Sequence, residues 1–340
     1  MRFRRVPLPE ARGHILGHNV AREGRRVLKK GRRVTEVELL ELADSGVSSV
    51  YVAELDAEDV GEDAAAERIG GALAEYGGLR LALAHGGRAS LLAPGRGVLS
   101  IQPELLLELN LIEGVTLATP HNHELVELGQ HVGTLKIIPF ALPGSRVQQA
   151  LGLAKRGVLG FRALQPRRVC ILVSGAESRR ERLLETYRPA LETRLHELGS
   201  SDVRVEYVPL ELEAEATLAA AIAKHCAAGA QLLLVVGETA TMDQDDLIPR
   251  AVRGAGGEVR AVGAPVFPGN LLLLGYLGPV SILGAPGCAR SRAQNVVDLL
   301  LPRLLSGERP GQREIAELGL GGLLQSSGRA QAAPQGSEHD

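Results

Sequence analysis

The chain of 340 residues is longer than one compact core usually accommodates, so two domains are expected. An apolar content of 45% with 23% charged residues is typical of a globular protein and excludes a disordered or collagen-like chain. The formal net charge of −2 gives no indication of nucleic-acid binding, and no apolar run approaches the roughly 18 residues that span a bilayer.

Two features of the composition bear on partners and compartment. Basic residues cluster at positions 2–5 and 25–33, and we interpret this cluster as a solvated face. The cysteines, Cys170, Cys226 and Cys288, are far apart and form no C-x-x-C pair, so a cytoplasmic location is expected. Neither nucleic acid nor a membrane is therefore expected as a partner.

The first 150 residues predict a mixed α/β accessory domain. Residues 34–46 have apolar positions at helical spacing, with Thr35 as the N-cap and Gly46 just beyond the end. Residues 56–76 predict a second helix, and short apolar segments between Gly and Pro predict several small strands. Helices and strands do not alternate regularly in this part of the chain.

A second pattern begins after Pro166, where apolar strand-like runs alternate with helical segments. The runs lie at 169–173, 203–209, 232–236, 258–262 and 280–283, and a helix closes the pattern at 289–305. This alternation predicts an α/β fold, with a three-layer α/β/α domain over 160–306 and a mostly parallel sheet. Residues 308–340 are mostly small and polar, and we expect a largely disordered tail.

Three glycine-containing loops follow strands of the same direction, so all three are expected at one edge of the sheet. Glycine lets backbone N–H groups approach a phosphate closely, and an arginine adds a paired charged donor. A fourth loop precedes an apolar segment at 270–276. The candidate ligand contacts are Ser174, Gly175, Gly237, Glu238, Thr239, Thr241, Pro268, Gly269, Asn270, Pro286, Gly287, Arg290 and Ser291.

The acids after the second loop are the candidate catalytic groups. Asp243 and Asp246 suit either a divalent metal ion or hydrogen bonds from the N–H groups of a heterocycle. Asp246 also suits a helix N-cap, and this role is compatible with the others. Glu238 lies inside the turn, where its charge would repel a phosphate unless a cation or an amino group meets it.

Residues 166–306 resemble the molybdopterin-binding domain shared by molybdopterin adenylyltransferases, molybdopterin molybdenumtransferases and the competence/damage-inducible nucleotide-processing proteins. The matching segments are VCILVSGA (169–176), LLVVGETATMDQDDLIP (233–249), PVFPGN (265–270) and SILGAPGCARS (281–291). The N-terminal segments GHILGHNV (13–20), GRRVTEVELLELADSGVSSVYV (31–52) and GQHVGTLKIIPFALPG (129–144) are similar to bacterial molybdopterin-binding proteins. In longer relatives this module precedes a nucleotidyltransferase domain, so we expect a stand-alone form here.

The resemblance implies a molybdopterin ligand, Mg²⁺ as an accompanying metal, and a homo-oligomer that serves a nucleotidyltransferase or a molybdoenzyme. It implies phosphate contacts from Gly237, Thr239, Thr241, Gly287 and Ser291, with the pterin or Mg²⁺ at Asp243 and Asp246 and a wall at Pro268, Gly269 and Asn270. Two departures stand out. Gly237-Glu238 replaces the paired glycines of the adenylyltransferases, and Cys288-Ala289 stands where molybdenumtransferases carry Asn and Pro.

Three functions follow from these observations and stay open. The first is a Mg²⁺-dependent transferase that inserts molybdate or passes the pterin on for nucleotide attachment. The second is a carrier that binds molybdopterin, or its adenylylated or metal-loaded form, without changing it. The third is a nucleotide pyrophosphate hydrolase of the competence/damage-inducible type. The lost glycine pair favours the carrier, whereas both retained acids favour the transferase.

Overall fold

A computed structural model describes residues 1–22, 25–211 and 213–324. The chain forms two compact units, Met1–Ala163 and a second that begins at Leu164. The sequence predicts a first domain that ends near residue 150. The unit continues further because its last strand, Leu159–Ala163, pairs antiparallel with Gly97–Ile101 of the same unit.

The first unit contains fourteen strands and four α-helices among the described residues, with a short 3-10 helix at Leu8–Ala11. In chain order they are β1 (Arg2–Pro7), β2 (Ile15–Leu16), β3 (Val20–Arg22), β4 (Arg25–Leu28), α1 (Glu36–Asp44), β5 (Ser49–Glu54), β6 (Asp59–Gly61), α2 (Glu62–Gly77), β7 (Arg80–Ala84), β8 (Arg88–Leu92), β9 (Gly97–Ile101), α3 (Pro103–Asn110), β10 (Val115–Ala118), β11 (Leu125–Val126), β12 (His131–Ile137), β13 (Ala141–Pro143), α4 (Gly144–Lys155) and β14 (Leu159–Ala163).

Small antiparallel sheets make up this unit, as the short apolar segments predict. A three-stranded sheet has the order β1-β5-β2, a four-stranded sheet the order β10-β12-β8-β7, and another three-stranded sheet the order β11-β9-β14. The start of α1 is confirmed: Thr35 and Glu38 form a capping box, because each side chain meets the other residue's backbone N–H. Gly46 follows the helix with a φ of 74°, a conformation that glycine adopts without strain.

The second unit contains six strands and five α-helices among the described residues, with short 3-10 helices at Glu177–Arg179 and Gly287–Arg290. They are β15 (Val169–Gly175), α5 (Arg180–Glu197), β16 (Val203–Pro209), α6 (Ala214–Ala227), β17 (Leu232–Gly237), α7 (Leu247–Gly254), β18 (Glu258–Val262), β19 (Leu273–Leu277), β20 (Val280–Gly284), α8 (Val296–Leu305) and α9 (Gln312–Glu317). Helix α9 lies in the segment for which the sequence predicts little order, and residues 325–340 of that predicted tail lie outside the described residues.

One six-stranded sheet organises the second unit, in the order β16-β15-β17-β20-β19-β18. Strands β15, β16, β17 and β20 are parallel neighbours, and β19 runs antiparallel to both β18 and β20. The fold class is α/β, as the alternation of strands and helices predicts. The apolar runs of β15 and β17 are buried along their whole length, which is why they read as continuous rather than alternating patterns.

Alternate residues of each strand belong to two different apolar clusters. Ile171 and Val173 of β15 pack in the cluster that contains Leu191 of α5 and Leu301 of α8. Leu172 packs in the cluster that contains residues of α6 and α7. In the described part of the chain, no helix is both long and apolar enough to cross a membrane.

Candidate functional site

The three loops that follow β15, β17 and β20 leave the sheet at the same edge. Ser174 of β15 is opposite Gly237 of β17, and Val235 of β17 is opposite Gly284 of β20, all in parallel pairs. The carboxyl ends of three neighbouring strands are therefore level with one another. We call the loop residues at this edge, 174–176, 237–241 and 285–291, the rim. Such an edge is where open α/β sheets bind ligands.

The fourth predicted loop also reaches this edge. Leu273, the first residue of β19, is opposite Gly284, the last residue of β20, so the segment before β19 lies beside the rim. It contains Pro268, Gly269 and Asn270, with a cis peptide bond before the proline. A Cβ on Gly269 would lie 2.4 Å from the Cβ of Val296, which leaves room only for glycine beside the start of α8.

Gly237 allows β15 and β17 to end in close contact. The N–H of Glu238 donates to the carbonyl of Ser174 at 2.9 Å, and the buried hydroxyl of Ser174 donates to the carbonyl of Val236 at 3.2 Å. A Cβ on Gly237 would lie 1.9 Å from the Ser174 carbonyl oxygen. Glycine is thus required here by the approach of two backbones, independently of any ligand.

Glu238 connects the loop after β17 to the loop after β15. Its carboxylate accepts the N–H of Ala176 at 2.9 Å and pairs with the guanidinium of Arg179 at 2.8 Å. The sequence indicates that a cation or an amino group must meet this carboxylate, and Arg179 is that cation. With its charge compensated, Glu238 repels a nearby phosphate less than an isolated carboxylate would.

Two buried tyrosines, which the sequence did not single out, complete the connection between the loops. The hydroxyl of Tyr187 in α5 donates to the carbonyl of Gly237 at 3.1 Å and lies 3.9 Å from the Cβ position of Gly287. The hydroxyl of Tyr207 in β16 donates to the carbonyl of Ala176 at 2.6 Å. Burial raises the pKa of both tyrosines, so they remain neutral hydrogen-bond donors.

The loop after β20 is held by a buried arginine of α5. The guanidinium of Arg194 donates to the carbonyls of Ala289, Ser291 and Ala293 at distances from 2.7 to 3.1 Å. The same group forms a two-point ion pair with Asp298 at 2.7 and 3.2 Å. These bonds fix the segment that carries Pro286, Gly287, Arg290 and Ser291. Arg290 itself is exposed and forms no ion pair with a described residue.

The acids after β17 are engaged by the backbone. Asp246 is the N-cap of α7, and its carboxylate accepts the N–H groups of Leu247 at 2.8 Å and Met242 at 3.0 Å. One oxygen of Asp243 accepts the N–H of Asp245 at 2.8 Å. Among the described residues, no group of three or more His, Cys, Asp or Glu side chains could hold a metal ion. Mg²⁺ is commonly held by one or two carboxylates together with substrate phosphates, so the assignment of Asp243 and Asp246 to a metal stays a prediction.

The rim combines backbone donors with one available cation. Neither Thr239 nor Ala240 donates its N–H to an acceptor in the described chain, and both residues are exposed, whereas Thr241 is buried.

A separate cavity of about 810 Å³ lies between α6 and α7, lined mainly by alanines and by Glu215 and Arg250. None of the predicted contact residues lines this cavity.

Comparison with known proteins gives limited similarity. A family model described as a domain of unknown function (DUF8806) matches residues 5–54. No curated protein matches the chain. A molybdopterin biosynthesis MoeA protein from Pyrococcus horikosii is 14% identical, with 90% of this chain and 75% of that chain covered and a TM-score of 0.30. A molybdenum cofactor biosynthesis protein from Pyrococcus furiosus is 12% identical, with coverages of 93% and 65% and a TM-score of 0.24. Similarity at these scores carries no argument about function.

Proposed function

We propose that the second unit is a three-layer α/β/α module that binds molybdopterin, or its adenylylated or metal-loaded form, in molybdenum cofactor biosynthesis. The proposal is supported above all by one observation, the meeting of four glycine-containing loops at a single sheet edge. The motifs in these loops are the ones that carry the sequence resemblance. We further propose that the chain self-associates and delivers the pterin to a nucleotidyltransferase or a molybdoenzyme.

In this proposal the phosphate of the ligand lies over the loop after β17. The free N–H groups of Thr239 and Ala240 donate to it, and Arg290 from the neighbouring loop supplies the charge. Gly287 and Ser291 border the same position from the loop after β20. The ion pair with Arg179 compensates the charge of Glu238 and so reduces its repulsion of the phosphate.

The pterin ring then lies between the acids and the wall of Pro268, Gly269 and Asn270. Asp243 is exposed and keeps acceptor capacity for the amino and ring N–H groups of a pterin. Asp246 positions α7 and thereby this loop. Because Gly237-Glu238 replaces the paired glycines of the adenylyltransferases, we favour binding over Mg²⁺-dependent transfer and assign no step to a metal.

Isothermal titration calorimetry with purified, reduced molybdopterin tests the proposal. We expect saturable one-site binding by the wild type, a loss of tenfold or more in Arg290→Gln, and a smaller loss in Asp243→Ala, because a charge-assisted bond contributes about 1.5–3 kcal/mol. Arg313→Gln in α9 serves as the control and keeps wild-type affinity. An absence of binding by the folded wild type would refute the proposal.

Two activity assays separate binding from catalysis. Incubation with adenylylated molybdopterin, Mg²⁺ and molybdate releases AMP if the chain is a transferase, and we expect no AMP. Incubation with ADP-ribose yields phosphorylated products if the chain is a pyrophosphate hydrolase, and we expect no turnover. If the wild type released AMP and Asp243→Ala did not, the chain would be a transferase rather than a carrier.

A further inference from the structure

The sheet β1-β5-β2 of the first unit has one covered and one open face. On the covered face, Val6, Val52 and Leu16 pack in a cluster with Leu42 of α1. Residues directly opposite one another in antiparallel strands point to the same side of the sheet. Phe3 is opposite Ala53, and Arg5 is opposite Tyr51, so these residues share the face away from α1.

Three rings form a cluster on the open face, which we call the aromatic face: Phe3, His18 and Tyr51. The rings of Phe3 and Tyr51 are nearly parallel, at 17°, with centroids 5.9 Å apart, and His18 meets both edge-on at 5.4 and 5.2 Å. Phe3 is 46% exposed and Tyr51 is 44% exposed. The chain has only four Phe and five Tyr, so two of its nine Phe and Tyr residues lie in this one exposed cluster.

Gly17 holds the ring of Phe3 against the sheet. A Cβ at this position would lie 2.5 Å from Cε2 and 2.6 Å from Cζ of Phe3. The N–H of Gly17 donates to the carbonyl of Tyr51 at 2.7 Å. The ring of Phe3 therefore extends across β5 to reach Gly17 and lies against the sheet. Contacts with Gly17, His18 and Tyr51 restrict the ring, which lowers the entropy cost of stacking on it.

Exposed arginines without carboxylate partners border the aromatic face. Arg5 is opposite Tyr51, and Arg33 forms a bridge with Ile15, which is itself opposite Ala53. Phe3, Ala53, Ile15 and Arg33 thus form one row across the face. Arg5 donates to the hydroxyl of Ser49, and Arg33 to a backbone carbonyl, and neither forms an ion pair with a described residue.

The charge of this part of the chain differs from that of the whole. Residues 1–54 contain eleven Lys and Arg against seven Asp and Glu, although the complete chain has a net charge of −2. The carboxylate of Glu54 is on the other side of the sheet, with Arg4, because Glu54 and Arg4 alternate with the residues of the aromatic face. The aromatic face therefore presents apolar rings with uncompensated positive charge.

We propose that the aromatic face binds single-stranded nucleic acid. Exposed aromatic rings on a sheet with flanking arginines are suited to unpaired bases, which stack on the rings while the phosphates meet the positive charges. In this arrangement Phe3 and Tyr51 carry the bases, and Arg5 and Arg33 contact the backbone. From the sequence we expect no nucleic acid, given the net charge of −2, and interpret the basic residues at 2–5 and 25–33 as a solvated face, and this proposal departs from both expectations.

Fluorescence anisotropy with labelled 20-nucleotide single strands and the full chain tests this proposal. We expect Tyr51→Leu to weaken binding by at least about fivefold, because stacking on one ring is worth roughly that much or more. Arg5→Gln and Arg33→Gln each reduce the slope of log affinity against log salt by about 0.7, one phosphate contact per residue. Phe3→Leu provides a second ring variant should Tyr51→Leu fail to fold.

Matched controls separate stacking from general attraction. Tyr76 in α2 is 48% exposed and lies outside the aromatic face, so Tyr76→Leu retains wild-type binding. A duplex of the same sequence binds more weakly than the single strand because its bases are already stacked, and a mononucleotide binds more weakly because it reaches fewer charges. The proposal is overturned by no wild-type binding, by equal binding of duplex or mononucleotide, or by equal losses in Tyr51→Leu and Tyr76→Leu. These outcomes are independent of molybdopterin binding at the rim.

Discussion

Glu238 and Arg179 form an ion pair of 2.8 Å that bridges two loops separated in the chain by α5, β16, α6 and β17. The other carboxylate oxygen of Glu238 accepts the N–H of Ala176, the residue directly after β15. One side chain thus sets the spacing between the ends of two parallel strands. Contacts of the Glu238 side chain therefore hold the loops after β15 and β17 together.

Two substitutions of Glu238 separate its charge from its hydrogen bond. Glu238→Gln keeps an acceptor for Ala176 but loses the ion pair, so we expect a loss of less than about 1 kcal/mol, as is usual for exposed pairs. Glu238→Ala loses both, and we expect about 1–2 kcal/mol because a backbone N–H also loses its acceptor. Urea unfolding measures both values. Equal losses in the two variants would show that the hydrogen bond contributes nothing.

Arg194 is expected to be far more important for stability than its exposed neighbours. Arg194→Met leaves Asp298 and three carbonyls of the loop after β20 without their donor, so we expect a loss of about 3–5 kcal/mol. Arg188→Met is the control on the same helix, because Arg188 only pairs with Glu192 at the surface. Its loss should be under about 0.5 kcal/mol. Denaturant unfolding of both variants decides whether the buried network has this role.

The strands of the second unit could be predicted because burial on both faces leaves an unbroken apolar run. Residues 169–173 and 232–236 are such runs, and both lie within strands of the sheet. The antiparallel direction of β19 has a local cause, because only Gly278 and Pro279 connect β19 to β20, and so short a connection favours an antiparallel hairpin. The last strand of the first unit was missed for a different reason: β14 is defined by its pairing with β9, about 60 residues earlier.

The loops of the candidate site could be predicted, but not the residues that hold them. Glycines and acids after a strand are a local signal, readable from adjacent positions. Tyr187 and Arg194 lie inside a helix, and their partners at Gly237 and Asp298 are 50 and 104 residues away. Tyr187 and Arg194 lie at helical spacing from the buried Leu191, so the pattern indicates the inner face of α5 but not the partners of these side chains. Only the fold shows that these side chains lie beneath the rim.

Gly237 provides a test of the close contact between β15 and β17. In Gly237→Ala the new methyl group meets the backbone oxygen of Ser174, which cannot rotate away, so we expect a loss of about 1–3 kcal/mol and weaker ligand binding. Gly71→Ala in α2 is the matched control, because no atom lies within 4 Å of the added Cβ. Alanine there should stabilise the helix by up to about 1 kcal/mol. Thermal unfolding would contradict the prediction if both variants shifted in the same direction.

Cys170 should be protected from alkylation in the native protein. Burial raises the pKa of its thiol to about 12, and the thiolate is the reactive form. Cys226 and Cys288 are only partly buried. We therefore expect iodoacetamide at pH 8 to label Cys170 last, and at full rate only in urea, as measured by peptide mass spectrometry. Rapid native labelling of Cys170 would mean that β15 opens locally.

Glu38 makes the stability of the first unit depend on pH. The N–H of Thr35 donates to its carboxylate at 2.8 Å and lowers its pKa below the ordinary value of 4.5, and Arg32 adds attraction at 2.9 Å. A carboxylate with a lowered pKa in the folded state stabilises the fold above the unfolded pKa. This contribution is lost as the pH falls through the lowered folded value.

The variant Glu38→Gln isolates this effect, because glutamine can still accept the N–H of Thr35 but carries no charge. We expect wild type to be more stable than Glu38→Gln at pH 7, with the difference shrinking as the pH drops from about 5 towards the lowered pKa. Urea unfolding of both proteins from pH 7 to pH 3 measures this difference. A constant difference across that range would mean that Glu38 stabilises α1 through hydrogen bonding alone, without a contribution from its charge.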